Sequence, residues 1–417
     1  MRLEFYRHGK LSVCPVEAEP PAGARRVAAP FAPLVFLLNR DPLNARAAFS
    51  PRTLKQALGP EDTHALSLDT AYESGAPREL QDIILNGGAR AVNAAWPGYE
   101  DLLAPPLRPA QARINLAGLG DVGGAMLMGL RLLGGGLISE IGIYDPNRTL
   151  AERYGQEINQ MLPLEPNARV PQVRIVETDC LFDCDVFAFA ALRGVPEPGG
   201  GDLDVRMAQL KSNMEIIAPY ARMAREKGFK GLFAQVSDPV DLLCRCVFVY
   251  SNRDENGNMD YLGLRPEQIR GFGLGVMSAR AAYWGDKSGL CPDFAARGRA
   301  YGPHGGGLVI ANDTGDGYDG ARSDLLTKYT VEANLRVRET GFKPYLAPGV
   351  SSACIGILRL LSGRWQDSAV PLGGAYMGCR NRESAMGLEV EALPLNPALQ
   401  ERIGCAYARL IEESSIL

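Results

Sequence analysis

Histidine is scarce in this chain. Its 417 residues hold only His8, His64 and His304. A zinc site built on imidazoles is therefore hard to assemble, and the nine cysteines form no CxxC pair that could replace them. No metal site is expected. The odd cysteine count and the apolar settings of several of these residues indicate reduced thiols that behave as small hydrophobes. Positive charge is not in excess either, with 44 basic and 48 acidic residues and a net charge of -4. Neither nucleic acid nor an anionic membrane is an expected partner. No apolar run reaches the roughly 18 residues of a membrane span, and residues 1–7 lack an apolar signal core. What remains is a soluble, cytoplasmic chain with 46% hydrophobic and 22% charged residues. Its length predicts two or three domains at about 150 residues each.

The chain divides by texture. Residues 1–110 carry a proline-rich run at 15–33, an apolar strand at 34–38 and a helical stretch at about 78–95. Prolines at 105, 106 and 109 then mark a boundary. From residue 111 short apolar runs alternate with longer amphipathic segments. Strands are expected at 114–117, 141–144, 173–176, 186–190, 232–236 and 269–272. Helices are expected at about 122–133, 150–160, 203–226 and 240–250. Strand and helix in alternation predict an α/β fold, a Rossmann-type doubly wound parallel sheet over residues 111–272. Residues 273–417 read as a mixed α+β region ending in a helix at 395–413, and residues 1–110 as an extra α/β appendage.

The strongest local signal is the run Ile114-Asn115-Leu116-Ala117-Gly118-Leu119-Gly120-Asp121-Val122-Gly123. An apolar strand precedes the glycines and an apolar helix follows them. Gly118 permits the tight turn, Gly120 lets a pyrophosphate approach the backbone, and Gly123 lets helix and strand pack closely. Gly118, Gly120, Asp121, Val122 and Gly123 are thus the expected dinucleotide-binding set. Asp145 ends the next strand, where a carboxylate accepts from the adenosine ribose and repels a 2′-phosphate. NAD is the expected cofactor, with Arg148 nearby leaving NADP open. Among the histidines, only His304 sits in a glycine-rich loop before an apolar run, open to a small molecule. It is the candidate general acid/base, although a loop histidine bonded to backbone fits the same pattern.

From about residue 113 to 411 the sequence resembles the lactate/malate dehydrogenase family. The glycine fingerprint with Asp145, Ser237-Asp238-Pro239-Val240-Asp241, Ser278-Ala279-Arg280 and Gly302-Pro303-His304-Gly305 follow one another in the family's order. The resemblance implies that His304 exchanges the proton, Arg280 holds the substrate carboxylate and Arg206 polarises the carbonyl. It also implies that Asn213 lies on the cofactor side. The implied reaction is hydride transfer between nicotinamide and a 2-oxo or 2-hydroxy acid, by a homodimer or homotetramer.

Departures from the family accompany the match. Met277 stands where the family has the aspartate that supports the histidine, and Asp238 where it has an asparagine. Asp238 is the candidate to supply the missing carboxylate from another direction. The stretch between Ala191 and Arg206 is longer than in the family, and residues 1–110 have no counterpart. These features predict an unusual or larger acid as substrate. The other reading is a catalytically impaired NAD(H)-binding sensor or scaffold.

Overall fold

The computed structural model describes residues 3–69, 75–165, 167–192 and 202–416, without the side chains of 202–208. Nine strands form the main sheet. They lie in the order Gly387–Val390, Ala375–Ser384, Gln366–Leu372, Ile269–Gly271, Leu232–Gln235, Val186–Phe189, Ala112–Ala117, Ile138–Tyr144 and Gln172–Ile175. The last six are parallel, and their chain order from the edge inward is third, second, first, fourth, fifth, sixth. That is the doubly wound order, and all six expected strands are present.

The sequence explains why this sheet is covered on both sides. Val186–Phe189 is buried along its whole length, as befits a central parallel strand. Successive side chains point to opposite faces. Phe187 and Phe189 pack with Ile217, Ala221 and Leu243 of helices Asp202–Glu226 and Val240–Ser251. Val186 and Ala188 pack with Met126, Leu130 and Ile158 of helices Asp121–Leu133 and Arg148–Asn159. Each fully buried phenylalanine contributes about 1.5–3 kcal/mol. Helix Arg148–Asn159 starts where the Asn147 side chain accepts from the Leu150 amide, a cap that contributes about 1 kcal/mol.

Beyond residue 273 the chain returns to the same sheet. Gln366–Leu372 joins antiparallel to Ile269–Gly271 through Gly271 opposite Ala369, and two more antiparallel strands follow. The final helix, Pro397–Ser414, has the expected place and is capped by Asn396 with proline at its first turn.

The N-terminal region forms its own six-stranded mixed sheet. Its order is Arg25–Val27, Phe5–His8, Leu11–Pro15, Leu34–Leu38, Ala89–Asn93 and Ala48–Phe49. The expected helix at 78–95 is shorter, Arg78–Leu85. Gly87, at φ 68°, turns the chain into strand Ala89–Asn93. This sheet packs on the edge of the main one. The Ser50 amide donates to the Leu388 carbonyl at 2.8 Å, and Val35, Leu37 and Val92 share a core with Phe248 and Met377. Among the described residues no helix is long and apolar enough to cross a membrane.

Candidate active site

A cleft of about 1180 Å³ opens at the carboxyl ends of the parallel strands. The residues just past these strands line it. They include Gly118 and Gly120 after the first strand, Asp145 after the second, Ala190 after the fourth, Asp238 after the fifth and Gly273 after the sixth. The fold therefore gathers Gly120 of the fingerprint and His304, 184 positions apart in the numbering, into one cavity.

At the fingerprint end each glycine has a distinct reason. Gly118 has φ +98°, and a Cβ there would lie 2.5 Å from the Ala191 amide nitrogen. A Cβ on Gly123 would lie 2.0 Å from the Gly118 carbonyl oxygen, so helix and turn close only over glycine. At Gly120 a Cβ would meet nothing within 4 Å, and the residue faces the open cleft. Helix Asp121–Leu133 points its N-terminal amides there, an environment that suits an anion. Asp121 and Val122 line the cleft as well, and Asp121 pairs with Lys343 at 3.2 Å. Asp145 accepts from the Leu119 amide at 2.8 Å and from the Asn147 amide at 2.9 Å while still lining the cleft. Arg148 is turned to Glu177 at 2.7 Å.

At the other end stands His304, only 13% exposed in its side chain. Its Nδ1 lies 2.9 Å from Asp238 Oδ1, and its backbone amide donates to Asp241 Oδ2 at 2.9 Å. Gly273 backs the ring closely, since a Cβ there would lie 2.9 Å from Nδ1. Burial alone would depress the imidazolium. The charge and hydrogen bond of Asp238 outweigh it, so the pKa is raised above 6.5, with Arg280 opposing and Asp241 adding. Asp238 is itself held in place. Its carbonyl accepts from Asn213 Nδ2 at 2.7 Å.

Met277 does not reach this network. It is buried in an apolar cluster with Leu274 and Ala281, its sulfur 3.6 Å from Arg280 Nη1. Arg280 is also buried, 9% exposed, and its Nη2 donates to Asn334 Oδ1. Burial pushes the Arg280 pKa down and Asp238 pushes it back. Asn334 lines the cleft directly, as does Arg338 one turn further along helix Ala333–Arg338.

Asn213 is fully buried, and its Nδ2 donates to the Asp238 carbonyl. Arg206 falls on helix Asp202–Glu226, and its side chain lies outside the described residues. Asp241 was visible in the Ser237–Asp241 segment but carried no separate signal. Asn334, Arg338 and Lys343 belong to no motif, and only the fold brings them to the cleft.

No model of a known protein family matches the chain. Its sequence is similar to curated L-lactate dehydrogenases. That of Treponema denticola is 31% identical over 133 residues, 32% of this chain and 39% of the relative. That of Mesomycoplasma hyopneumoniae is 27% identical over 202 residues, 48% of this chain and 57% of the relative. The chain thus spans less than two thirds of the length of these relatives. Solved structures of lactate dehydrogenases share the fold. MGS-M5, a lactate dehydrogenase enzyme from a Medee basin deep-sea metagenome library, superposes with a TM-score of 0.58 at 16% identity. That match covers 73% of this chain and 98% of the other. The minor L-lactate dehydrogenase from Enterococcus mundtii, in a ligands-bound form, gives 0.60 at 18% identity over 74% and 99%.

Proposed function

We propose that this chain, a divergent relative of the lactate/malate dehydrogenases, is an NAD-dependent oxidoreductase acting on a 2-oxo or 2-hydroxy carboxylic acid. The observation that carries the reading is the His304–Asp238 pair, Nδ1 to Oδ1 at 2.9 Å, in the same cleft as the glycine fingerprint. A histidine positioned by a carboxylate beside a dinucleotide cradle is what proton-coupled hydride transfer needs.

The residues fit the cofactor. Gly118, Gly120, Asp121, Val122 and Gly123 would hold the pyrophosphate, and the open space over Gly120 suits its approach. Asp145 would hold the adenosine ribose. Arg148 is engaged by Glu177, which favours NAD over NADP. When bound, the cofactor supplies or takes the hydride at the substrate's carbonyl carbon.

The chain's own residues handle the proton and the acid. With Nδ1 bonded to Asp238, His304 presents Nε2 to the substrate oxygen. It donates there as a carbonyl is reduced and accepts as an alcohol is oxidised. Asp238 fixes the tautomer, a role the resemblance gave to the position now held by Met277. Arg280 would take the substrate carboxylate, with Asn334 orienting its guanidinium. Arg206 would polarise the carbonyl, a role that rests on the resemblance alone. Asn213 would act by fixing the Asp238 carbonyl.

The three-part division at residues 110 and 272 and the cytoplasmic location rest on the texture and composition of the sequence, and the homodimeric or homotetrameric state on the resemblance. The Asp238–His304 pair weighs against a chain that merely binds NAD(H), because a sensor has no use for a positioned general acid. The deciding experiment follows NADH consumption by the purified protein over a panel of 2-oxo acids. Turnover abolished by His304→Ala supports the reading. NADH binding without turnover on any acid sinks it in favour of a sensor.

A further inference from the structure

A second cavity, of about 440 Å³, lies against helix Leu274–Ser288 and shares no lining residue with the cleft. Neighbouring residues part the two. Gly273 and Ser352 line the cleft, whereas Gly275 and Ser351 line the second cavity. The chemistry proposed above uses none of its lining residues.

Charge in this cavity is present but unmatched. Asp367 and Arg380 both line it, directly opposed on the antiparallel strands Gln366–Leu372 and Ala375–Ser384. That register puts their Cβ atoms roughly 5 Å apart on one face, where opposite charges can pair. Among the described residues neither makes an ion pair, and Arg359, exposed on the cavity wall, makes none either. The third arginine, Arg299, is committed to Glu391 at 2.6 Å. Burial pushes the Asp367 carboxyl up, and the pull of Arg380, the Ser278 hydroxyl beside it and Arg299 leaves that shift in place. The cavity therefore presents one carboxyl and two guanidinium groups, none with an opposite charge in contact. Part of the remaining wall is apolar, with Phe294, Ile355 and Ala282.

The arrangement discriminates between ligand classes. A purely anionic ligand would satisfy the arginines and set its charge against Asp367. A simple amine would satisfy Asp367 and leave the arginines unmatched. A zwitterion with both charges on one carbon serves the opposed pair together. We propose that this cavity binds an α-amino acid with an apolar side chain. Its ammonium donates to Asp367, and its carboxylate lies in the fork of Arg380, with Arg359 on the solvent side. The side chain covers the wall at Phe294 and Ile355.

Calorimetric titration of the full chain tests this. L-leucine or L-phenylalanine is expected to bind with a Kd of about 1 mM or below. 4-Methylpentanoate lacks the ammonium of leucine and 3-methylbutylamine lacks its carboxylate. Each should bind at least about tenfold more weakly than L-leucine, for want of one charge-assisted contact. Glycine should be weaker by a similar factor, since it leaves the apolar wall uncovered. Asp367→Asn and Arg380→Gln should each weaken L-leucine about tenfold or more, with part of the loss recovered in Arg380→Lys. Arg359→Gln alters an exposed residue, so its weakening of L-leucine can be read even where a change at the opposed pair disturbs folding. Binding retained in His304→Ala places the ligand outside the cleft. Absence of binding by both amino acids overturns the proposal. So does 4-methylpentanoate, inorganic phosphate or glycine binding as tightly as L-leucine. L-leucine binding that is unmoved by every variant of the cavity, or lost in His304→Ala, overturns it as well. None of these outcomes bears on NADH turnover, so the dehydrogenase reading stands or falls separately.

Discussion

Asp238 Oδ1 and His304 Nδ1 face each other at 2.9 Å, with the carboxylate 48% exposed and the ring 13% exposed. The ion pair thus has one foot in solvent and one in the protein. Solvent screens part of the attraction, yet its direction is set, and the imidazolium is favoured. The carboxylate that the sequence lacks at Met277 reaches the histidine from a different strand end.

Replacing Asp238 should therefore act through pH. On the proposed hydride-transfer reading His304 starts protonated in the reducing direction, so kcat/KM should fall as pH rises through a pKa above 6.5. In the oxidising direction it should rise through the same value. Asp238→Asn keeps the shape but removes the charge, so both limbs should move to lower pH, with about a 10²–10⁴-fold loss of rate. Profiles of kcat/KM in both directions read this. Limbs that stay in place would show that Asp238 does not govern the ring.

The glycines of the fingerprint should separate folding from binding. At Gly118 the left-handed φ and a Cβ 2.5 Å from the Ala191 nitrogen oppose any side chain. Gly118→Ala should lower both Tm and NADH affinity. At Gly120, with φ -67° and open space around a Cβ, alanine costs the apoprotein little. Gly120→Ala should keep Tm but weaken NADH binding, measured by fluorescence titration, because its methyl would occupy the path proposed for the pyrophosphate. Equal NADH affinity in the wild type and Gly120→Ala would remove the phosphate cradle from this turn.

Arg280→Lys tests the carboxylate-binding role. Lysine keeps the charge but loses the planar fork and the geometry that engages Asn334. The loss should be about 2–5 kcal/mol in kcat/KM for the acid, with NADH affinity unchanged. An acid KM that is unaltered would assign the carboxylate to another group.

The reach of the sequence can be traced to particular residues. The inner parallel strands were legible because burial on both faces makes them short apolar runs, as in Val186–Phe189, whereas the edge strand Gln172–Ile175 is exposed at Gln172 and Arg174. Antiparallel strands such as Gln366–Leu372 and Ala375–Ser384 mix aspartate, serine, arginine and asparagine with apolar residues, and they escaped. In the N-terminal sheet only Leu34–Leu38 was apolar enough to read, whereas Phe5–His8 and Arg25–Val27 are largely polar. The helix expected through residue 95 ends at Leu85 because Gly87, at φ 68°, turns the chain into strand Ala89–Asn93. The candidate site divides the same way. Gly118, Asp145, Asp238 and His304 sit in ordered motifs, and the fold brings them together. Asn334 and Arg338 have no motif, since their place depends on a helix folding back over the cleft.

The N-terminal sheet offers a contrast between buried and exposed charge. Arg46 and Glu61 form an ion pair at 2.7 Å with both side chains 3% exposed, and the Arg46 guanidinium lies 3.6 Å from the Phe49 ring centroid. Glu61 Oε2 also accepts from the Arg46 amide at 3.0 Å. Removing the carboxylate leaves a cation out of water, so Glu61→Leu should cost about 3–5 kcal/mol. Arg153 and Glu157, by contrast, pair at 2.8 Å with side chains 60% and 57% exposed. Glu157→Ala should cost no more than about 0.5 kcal/mol. Chemical denaturation of both variants checks the ordering. The double variant Arg46→Met/Glu61→Leu should recover much of the loss, because the penalty lies in the unpaired charge and not in the absent bond. If Glu61→Leu proves as mild as Glu157→Ala, water reaches Arg46 in solution and the pair does not hold this sheet together.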